Sequence, residues 1–294
     1  MSGAAGAAPP PAAGDPAWET VVGLEVHVEL ATATKLFSAA PARFGDTPNT
    51  NITPVCLGLP GSLPVLNRRA VELAITVGLA LECEIAPSVF HRKNYFYPDM
   101  VKDYQISQYD EPICRNGRLE LASGAVIGIE RAHLEEDAGK TTHLGGADGR
   151  IHGAAGALLD YNRAGIALLE IVSRPDLRSA AAARSYVEEL RAILRATGAS
   201  DARLEHGSMR VDVNVSVRPA GSDELRTRCE VKNVNSLRAL VRAVEYEAQR
   251  HIELYAAGDS PSRQTRHVGE DGRTHTLRSK EGDDDYRYFP EPDL

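Results

Sequence analysis

Seven carboxylates fall on polar strand faces or in charged strand ends: Glu25, Glu29, Glu135, Glu136, Glu170, Asp212 and Glu230. With them come His27, Asn214 and Ser216 and the cations Arg210, Arg218 and Lys232. Oxygen ligands in this number suit a hard cation, Mg²⁺ or Mn²⁺, rather than zinc. A hard cation beside guanidinium and ammonium groups on one sheet is what phosphoryl transfer requires. The metal bridges phosphate oxygens, and the cationic side chains take the charge that spreads over the equatorial oxygens. The same residues would also make an ordinary solvated face, and spacing alone leaves both readings open.

The elements that must position these groups show as alternating strands. In residues 20–30 (TVVGLEVHVEL), Val22, Leu24, Val26, Val28 and Leu30 alternate with Gly23, Glu25, His27 and Glu29. Side chains switch faces at each residue of a strand. One face is therefore turned to a core, and the other presents Glu25, His27 and Glu29 roughly 7 Å apart. Residues 208–218 (SMRVDVNVSVR) alternate as cleanly, with valines opposite Arg210, Asp212, Asn214, Ser216 and Arg218. Short acceptors between two guanidiniums suit metal and phosphate. Residues 228–232 place Arg228, Glu230 and Lys232 opposite Cys229 and Val231, and are expected to pair antiparallel with the preceding strand. A short strand at 167–172 carries Glu170 in an apolar run, where a carboxylate is costly unless paired or metal-bound. Residues 117–129 read as a hairpin turning at Ser123 and Gly124. It leads into the charged run 130–140, which holds Glu135 and Glu136.

Three helices are expected. Asn67 caps one running to about Leu81, with Val71, Ala74, Ile75, Gly78 and Leu79 inward. Ser179 caps a second to about Thr197, stopped by Gly198. Asn235 or Ser236 caps a third to about Ala257, with Leu237, Leu240, Val241, Val244 and Ala248 inward. Residues 91–110 gather five aromatic rings with Lys93 and Lys102; they form either a packed loop or a surface that positions another molecule. Residues 143–156 are Gly-rich and loop-like but lack the Lys-Ser/Thr of a phosphate-cradling loop. The charged tail, 263–294, packs by its aromatics.

Composition narrows the class. The 294 residues are 43% hydrophobic, enough for a sizeable core. The net charge of −8 argues against a generic nucleic-acid coat but not against a local tRNA contact. No apolar run is long enough for a membrane span. Residues 1–17 are expected to be a disordered Ala/Pro leader, neither secretory signal nor transit peptide, which leaves the cytoplasm as the expected compartment. Residues 18–294 are expected to form one domain. The four cysteines are scattered, so disulfides are not expected.

Many longer stretches match one family in order. They include GLEVHVEL (23–30), KLFS (35–38), LGLPGSLPVLN (57–67), RKNYFYPDM (92–100), YQISQYD (104–110) and EEDAGK (135–140). DYNRAG (160–165), EIVSRPD (170–176), GSMRVDVNVS (207–216), VKNVNS (231–236) and DYRYFPEPDL (285–294) continue the series. The chain resembles the B subunits (GatB) of glutamyl/aspartyl-tRNA amidotransferases over nearly everything after Trp18. The resemblance implies an α+β catalytic "cradle": a curved antiparallel sheet with helices, similar to the glutamine synthetase and guanidino kinase fold. It implies a ligase in which ATP phosphorylates the side-chain carboxylate of Glu-tRNA(Gln) or Asp-tRNA(Asn). Ammonia, released from glutamine by an A subunit in a heterotrimer with a C subunit, then displaces phosphate. By motif, Mg²⁺ falls on Glu25, His27, Glu136, Glu170 and Asp212, with Glu136 preferred to Glu135 by the motif alone. ATP phosphates fall near Arg210, Asn214, Ser216 and Lys232, and Lys93 lies near the ammonia path.

Some positions depart from the family. Many members carry a zinc site in CxC and CPVC motifs; here those positions read Ser38-Ala39-Ala40 and Thr53-Pro54-Val55-Cys56, so no structural zinc is expected. Val101, Asp103, Arg263 and Gln264 also differ from the usual pattern. The family's helical and tail domains, which follow FPEPDL and grip tRNA, are expected to be absent. Two alternatives therefore stand beside the amidotransferase: a shortened paralogue that activates another carboxylate, and a non-catalytic protein that docks on A and C partners.

Overall fold

The computed structural model describes residues 17–145, 153–269, 271–279 and 283–294. Nearly all of the expected leader, and residues 146–152 of the Gly-rich stretch, lie outside the described residues.

The strand over residues 20–30 is β1 (Trp18–Glu29). It stands at the middle of a nine-stranded sheet. On one side lie β10 (Met209–Pro219), β11 (Cys229–Val234), β12 (Gln264–Val268) and β13 (Thr274–Ser279). On the other lie β9 (Ala167–Ser173), β6 (Val126–Glu136), β5 (Cys114–Glu120) and β2 (Glu84–Ile85). The expected hairpin is β5–β6, and Gly124 supplies the left-handed turn residue at φ +82°. β10 and β11 pair antiparallel as expected. The sheet is not wholly antiparallel, however: β11 and β12 run parallel. The cause is the connection. A helix, α3 (Leu237–Ala256), joins them, and parallel neighbours need such a crossover. The sequence reading also missed β12 and β13 themselves, because QTRHV and THTLRS carry little apolar signal.

The apolar faces of the strands and three helices form one core. Val22, Val26 and Val28 of β1 and Val213, Val215 and Val217 of β10 are fully buried. α3 packs on β10 and β11, α1 (Arg68–Ala80) packs on β5 and β6, and α2 (Ala180–Ala196) contacts both other helices. Asn67, Ser179 and Ser236 cap the three helices, each accepting a backbone N–H through its side chain. α1 is rotated from the expected stripe: Ala70, Leu73, Ala74, Val77 and Gly78 are buried and Leu79 is largely exposed. Gly78 faces inward in both: a Cβ there would lie 2.4 Å from Cys114 Sγ, so glycine is needed for the close approach, while Leu73 and Val77 replace Ile75 and Leu79 in the core. α3 buries Glu247 and His251 as well as its apolar stripe.

Smaller elements border the opposite face of the large sheet. β3 (His91–Asn94) pairs with β4 (Tyr104–Ser107) on one side and with the tail strand β14 (Phe289–Pro290) on the other. β7 (Lys140–Leu144) and β8 (Gly156–Asp160) form a separate ribbon. The tail packs by its aromatics, as expected: the Tyr288 ring stacks on Tyr109 at 4.3 Å. No helix among the described residues is long and apolar enough to cross a membrane.

Candidate active site

Strand register assembles the site. His27 of β1 lies opposite Glu170 of β9, and Glu170 lies opposite His133 of β6. On the other side, Glu25 faces Asp212 of β10, and Asn214 faces Glu230 of β11. All project from the polar face, because they occupy the same parity as His27. Two clusters result. In the first, His27 Nε2 lies 3.4 Å from both Glu135 Oε1 and Glu170 Oε2, and His133 Nε2 lies 3.3 Å from Glu170 Oε2. In the second, ligand atoms of Glu25, Asp212 and Glu230 lie within 4.8 Å of one another. Asn214 Nδ2 donates to Glu25 Oε1 at 3.0 Å, and Lys232 Nζ lies 3.4 Å from Asp212 Oδ2.

Glu136 does not join these groups, and the motif-based choice of it over Glu135 is corrected. β6 places His133 and Glu135 on the polar face and Glu136 on the reverse one. There Lys102 Nζ donates to both Glu136 oxygens, at 2.8 and 2.6 Å, and the Ile106 N–H donates to Oε2. Glu136→Gln is expected to weaken this buried pair and lower the unfolding free energy by about 2 kcal/mol, measured by urea denaturation. Its divalent-cation binding is expected to match the parent's.

Charge balance supports a cation role. Burial disfavours a charged His27, but Glu170, Glu135 and Asp212 outweigh that and raise its pKa to about 9. Burial likewise opposes ionised Glu170, yet His133 and His27 hold it well below the ordinary carboxylate range. The imidazolium protons thus neutralise carboxylates that a divalent ion would otherwise neutralise. A cation entering would release protons, the usual linkage at imidazole–carboxylate sites. His133 Nδ1 is buried without a hydrogen-bond partner. The all-oxygen group Glu25, Asp212 and Glu230 fits Mg²⁺, and the mixed group fits Mg²⁺ less well than Mn²⁺. Glu29 belongs to neither. Burial, and then Asp137, raise its pKa to about 7 against the pull of Arg163 and Arg210.

The four residues expected around ATP phosphates do not meet in one cavity. Arg210 and Lys232 border an opening of roughly 590 Å³ with His27, Asp137 and Asp212. Arg210 is already paired with Asp137 at 2.9 Å. Asn214 and Ser216 line a small, more enclosed space with Val21, Gly23, Leu225 and Arg228. That space adjoins a second large cavity, roughly 490 Å³, whose walls include Arg131, Arg174, Arg228 and Arg263. Sequence reasoning missed these arginines as a set, and missed His133. Only His133 left a usable signal, two residues before Glu135 on one strand. Arg218 stands apart, paired with Glu19 at 2.6 Å. Lys93 borders both large cavities. Around Cys56, Ser38 Oγ and Thr53 Oγ1 lie 3.2 and 3.4 Å from its Sγ.

Fold and site together define an α+β domain in which the polar face of the large mixed sheet gathers carboxylates and imidazoles between arginine-lined cavities. The GatB/GatE catalytic domain model matches residues 20–294, and the chain belongs to that family. The aspartyl/glutamyl-tRNA(Asn/Gln) amidotransferase B subunit of Mycobacterium bovis (strain BCG / Pasteur 1173P2) is 58% identical over 286 residues. That alignment covers 94% of this chain and 56% of the relative. The corresponding B subunit of Frankia casuarinae is 58% identical over 287 residues, covering 94% of this chain and 57% of the relative. That of Mycobacterium avium (strain 104) is 57% identical over 286 residues, again covering 94% and 57%. The chain therefore spans a little over half the length of these relatives.

Proposed function

We propose that the chain is the catalytic domain of a tRNA-dependent amidotransferase B subunit. Its substrates are ATP and a glutamate or aspartate carried by tRNA(Gln) or tRNA(Asn). The observation that carries this reading is the pairing of two cation-ready carboxylate groups with arginine-lined cavities on one sheet face. A carboxylate oxygen of the aminoacyl group attacks the γ-phosphorus and ADP departs. Ammonia then adds to the activated carbonyl carbon, phosphate leaves, and the amide forms. Both reactants of the first step are anionic and repel until charge is screened. Arg131, Arg174, Arg228 and Arg263 supply fixed positive charge for the nucleotide phosphates, with Asn214 and Ser216 as polar contacts beside them. Glu25, Asp212 and Glu230 would hold Mg²⁺, with His27, Glu135 and Glu170 as a second group; the ion supplies electrophilic stabilisation of the transferring phosphoryl oxygens. Ammonia comes from an A-subunit glutaminase, with a C subunit completing the complex in the cytoplasm.

The test is phosphate release from ATP and Mg²⁺, with and without Glu-tRNA(Gln), by the chain alone and mixed with A and C subunits. The reading expects tRNA-stimulated release, reduced at least about 10²-fold by Asp212→Ala. Turnover without tRNA stimulation would favour another carboxylate substrate. No turnover in any mixture, from folded protein, would favour a docking role without catalysis.

A further inference from the structure

Lys93 projects from β3 into the wall that separates the two large cavities, and lines both. Its neighbours in the strand tie down the tail. Arg92 donates to Glu291 through two nitrogens, at 2.7 and 2.9 Å, and Arg92 Nη2 reaches Asp293 at 3.1 Å. Asn94 Nδ2 donates to the carbonyls of Tyr286 and Arg287, at 3.1 and 2.8 Å. Arg287 is left-handed (φ 47°), a conformation that a non-glycine residue holds only when its surroundings impose it. Asn94 thus pins a turn that sets the two tyrosines on either side of Arg287. The Tyr286 ring lies 4.6 Å from Lys93 Nζ, and Tyr288 is fixed by its stack on Tyr109.

We propose that Tyr286, braced edge-on by Tyr288 at 6.0 Å, is a positioning residue that holds the Lys93 ammonium in the wall between the cavities, where it meets anionic groups on either side. A lysine stem otherwise samples many rotamers, and a cation over an aromatic face loses that freedom in return for a specific attraction. Charge agrees with the geometry. Burial works against the ammonium, and the Glu135 and Glu170 carboxylates favour it. The positioning stands on geometry alone. Its catalytic consequence, a fixed cation for a phosphate-bearing reactant, rests on the amidotransferase reading.

Acylation of Lys93 by acetic anhydride in the folded protein, followed by peptide mass spectrometry, tests the positioning. The exposed Lys140 serves as internal standard. Parent and Tyr286→Phe, which keeps the ring, are expected to protect Lys93 alike. Tyr286→Leu and Asn94→Ala are expected to react about tenfold faster, between the exposed and the desolvated values of a cation–π contact. Equal rates in all four proteins overturn the positioning. In parallel, kcat for ATP is expected to fall about tenfold in Tyr286→Leu, with KM and the Tyr286→Phe values unchanged. Faster acylation with unchanged kcat overturns the catalytic consequence. A parent without turnover counts against the amidotransferase reading, while the acylation rates still decide the positioning.

Discussion

On the proposed amidotransferase reading, Glu170→Gln is expected to lower Mg²⁺-dependent ATP turnover about 10³-fold in an otherwise folded protein. Glu170 sits between His27 and His133 and lies close to both imidazoles, at 3.4 and 3.3 Å; Glu135 also reaches both, at 3.4 and 3.8 Å. The substitution keeps volume and hydrogen-bonding capacity but removes the charge. A cation bound there loses an anionic ligand, and Glu135 is left as the carboxylate between two histidines. The effect belongs in kcat, because the lost interaction strengthens as charge builds on the transferring phosphoryl group. Turnover within a few-fold of the parent, at saturating Mg²⁺ and ATP, would remove this cluster from the catalytic machinery.

Glu247→Ala is expected to cost about 3–5 kcal/mol of unfolding free energy without touching the cleft. Glu247 is fully buried in α3 and anchors the far edge of the sheet. Arg250 Nη2 lies 2.6 Å from Oε2, Arg266 Nε lies 2.9 Å from Oε1, and the Thr274 hydroxyl donates to Oε1. Removing the carboxylate leaves the buried Arg266 and the half-buried Arg250 without the counter-charge they share. Cys229 and His251 lie close enough to suggest a metal. The two guanidiniums already neutralise Glu247, however, so a further cation would only concentrate positive charge. The pH dependence has a definite sign. Burial alone would raise the Glu247 pKa, but contacts from His251, Arg250 and Thr274 bring it from 4.5 down to about 2. A depressed folded-state pKa stabilises above the unfolded value and loses that contribution as protons bind. The parent should therefore lose stability as pH falls from about 4.5 to about 2, and Glu247→Ala should lose less over that window. Urea titrations across that range measure both effects.

Local pattern carried the centre of the molecule. β1 and β10 alternate without a break because one face of each is wholly buried, and the caps at Asn67 and Ser179 are visible in side-chain chemistry alone. Elsewhere local pattern failed for physical reasons. In the run 130–140, charge sits at both parities, so nothing local separates Glu135 from Glu136; the register of His133 opposite Glu170 does. The stripe of α1 has apolar residues on both sides of Ala74 and Gly78, and only packing on the sheet selects Leu73 and Val77 over Ile75 and Leu79. Arg131, Arg174, Arg228 and Arg263 come from four separate stretches, and only the fold brings them to one cavity. The buried Glu247 reads as a solvated helix residue until Arg266, on another element, is placed beside it. The ligand types of the site were thus legible, and their grouping was not.

The most direct measurement of the central claim is a Mn²⁺ titration followed by electron paramagnetic resonance. It compares the parent with Glu25→Gln, Glu135→Gln and Glu136→Gln. Saturable binding by the parent is expected, weakened about tenfold or more by Glu25→Gln and by Glu135→Gln and unchanged in Glu136→Gln. Binding lost in Glu136→Gln but kept in Glu135→Gln would contradict the register-based site. Absence of saturable binding by the folded parent would contradict the cation role of the whole face.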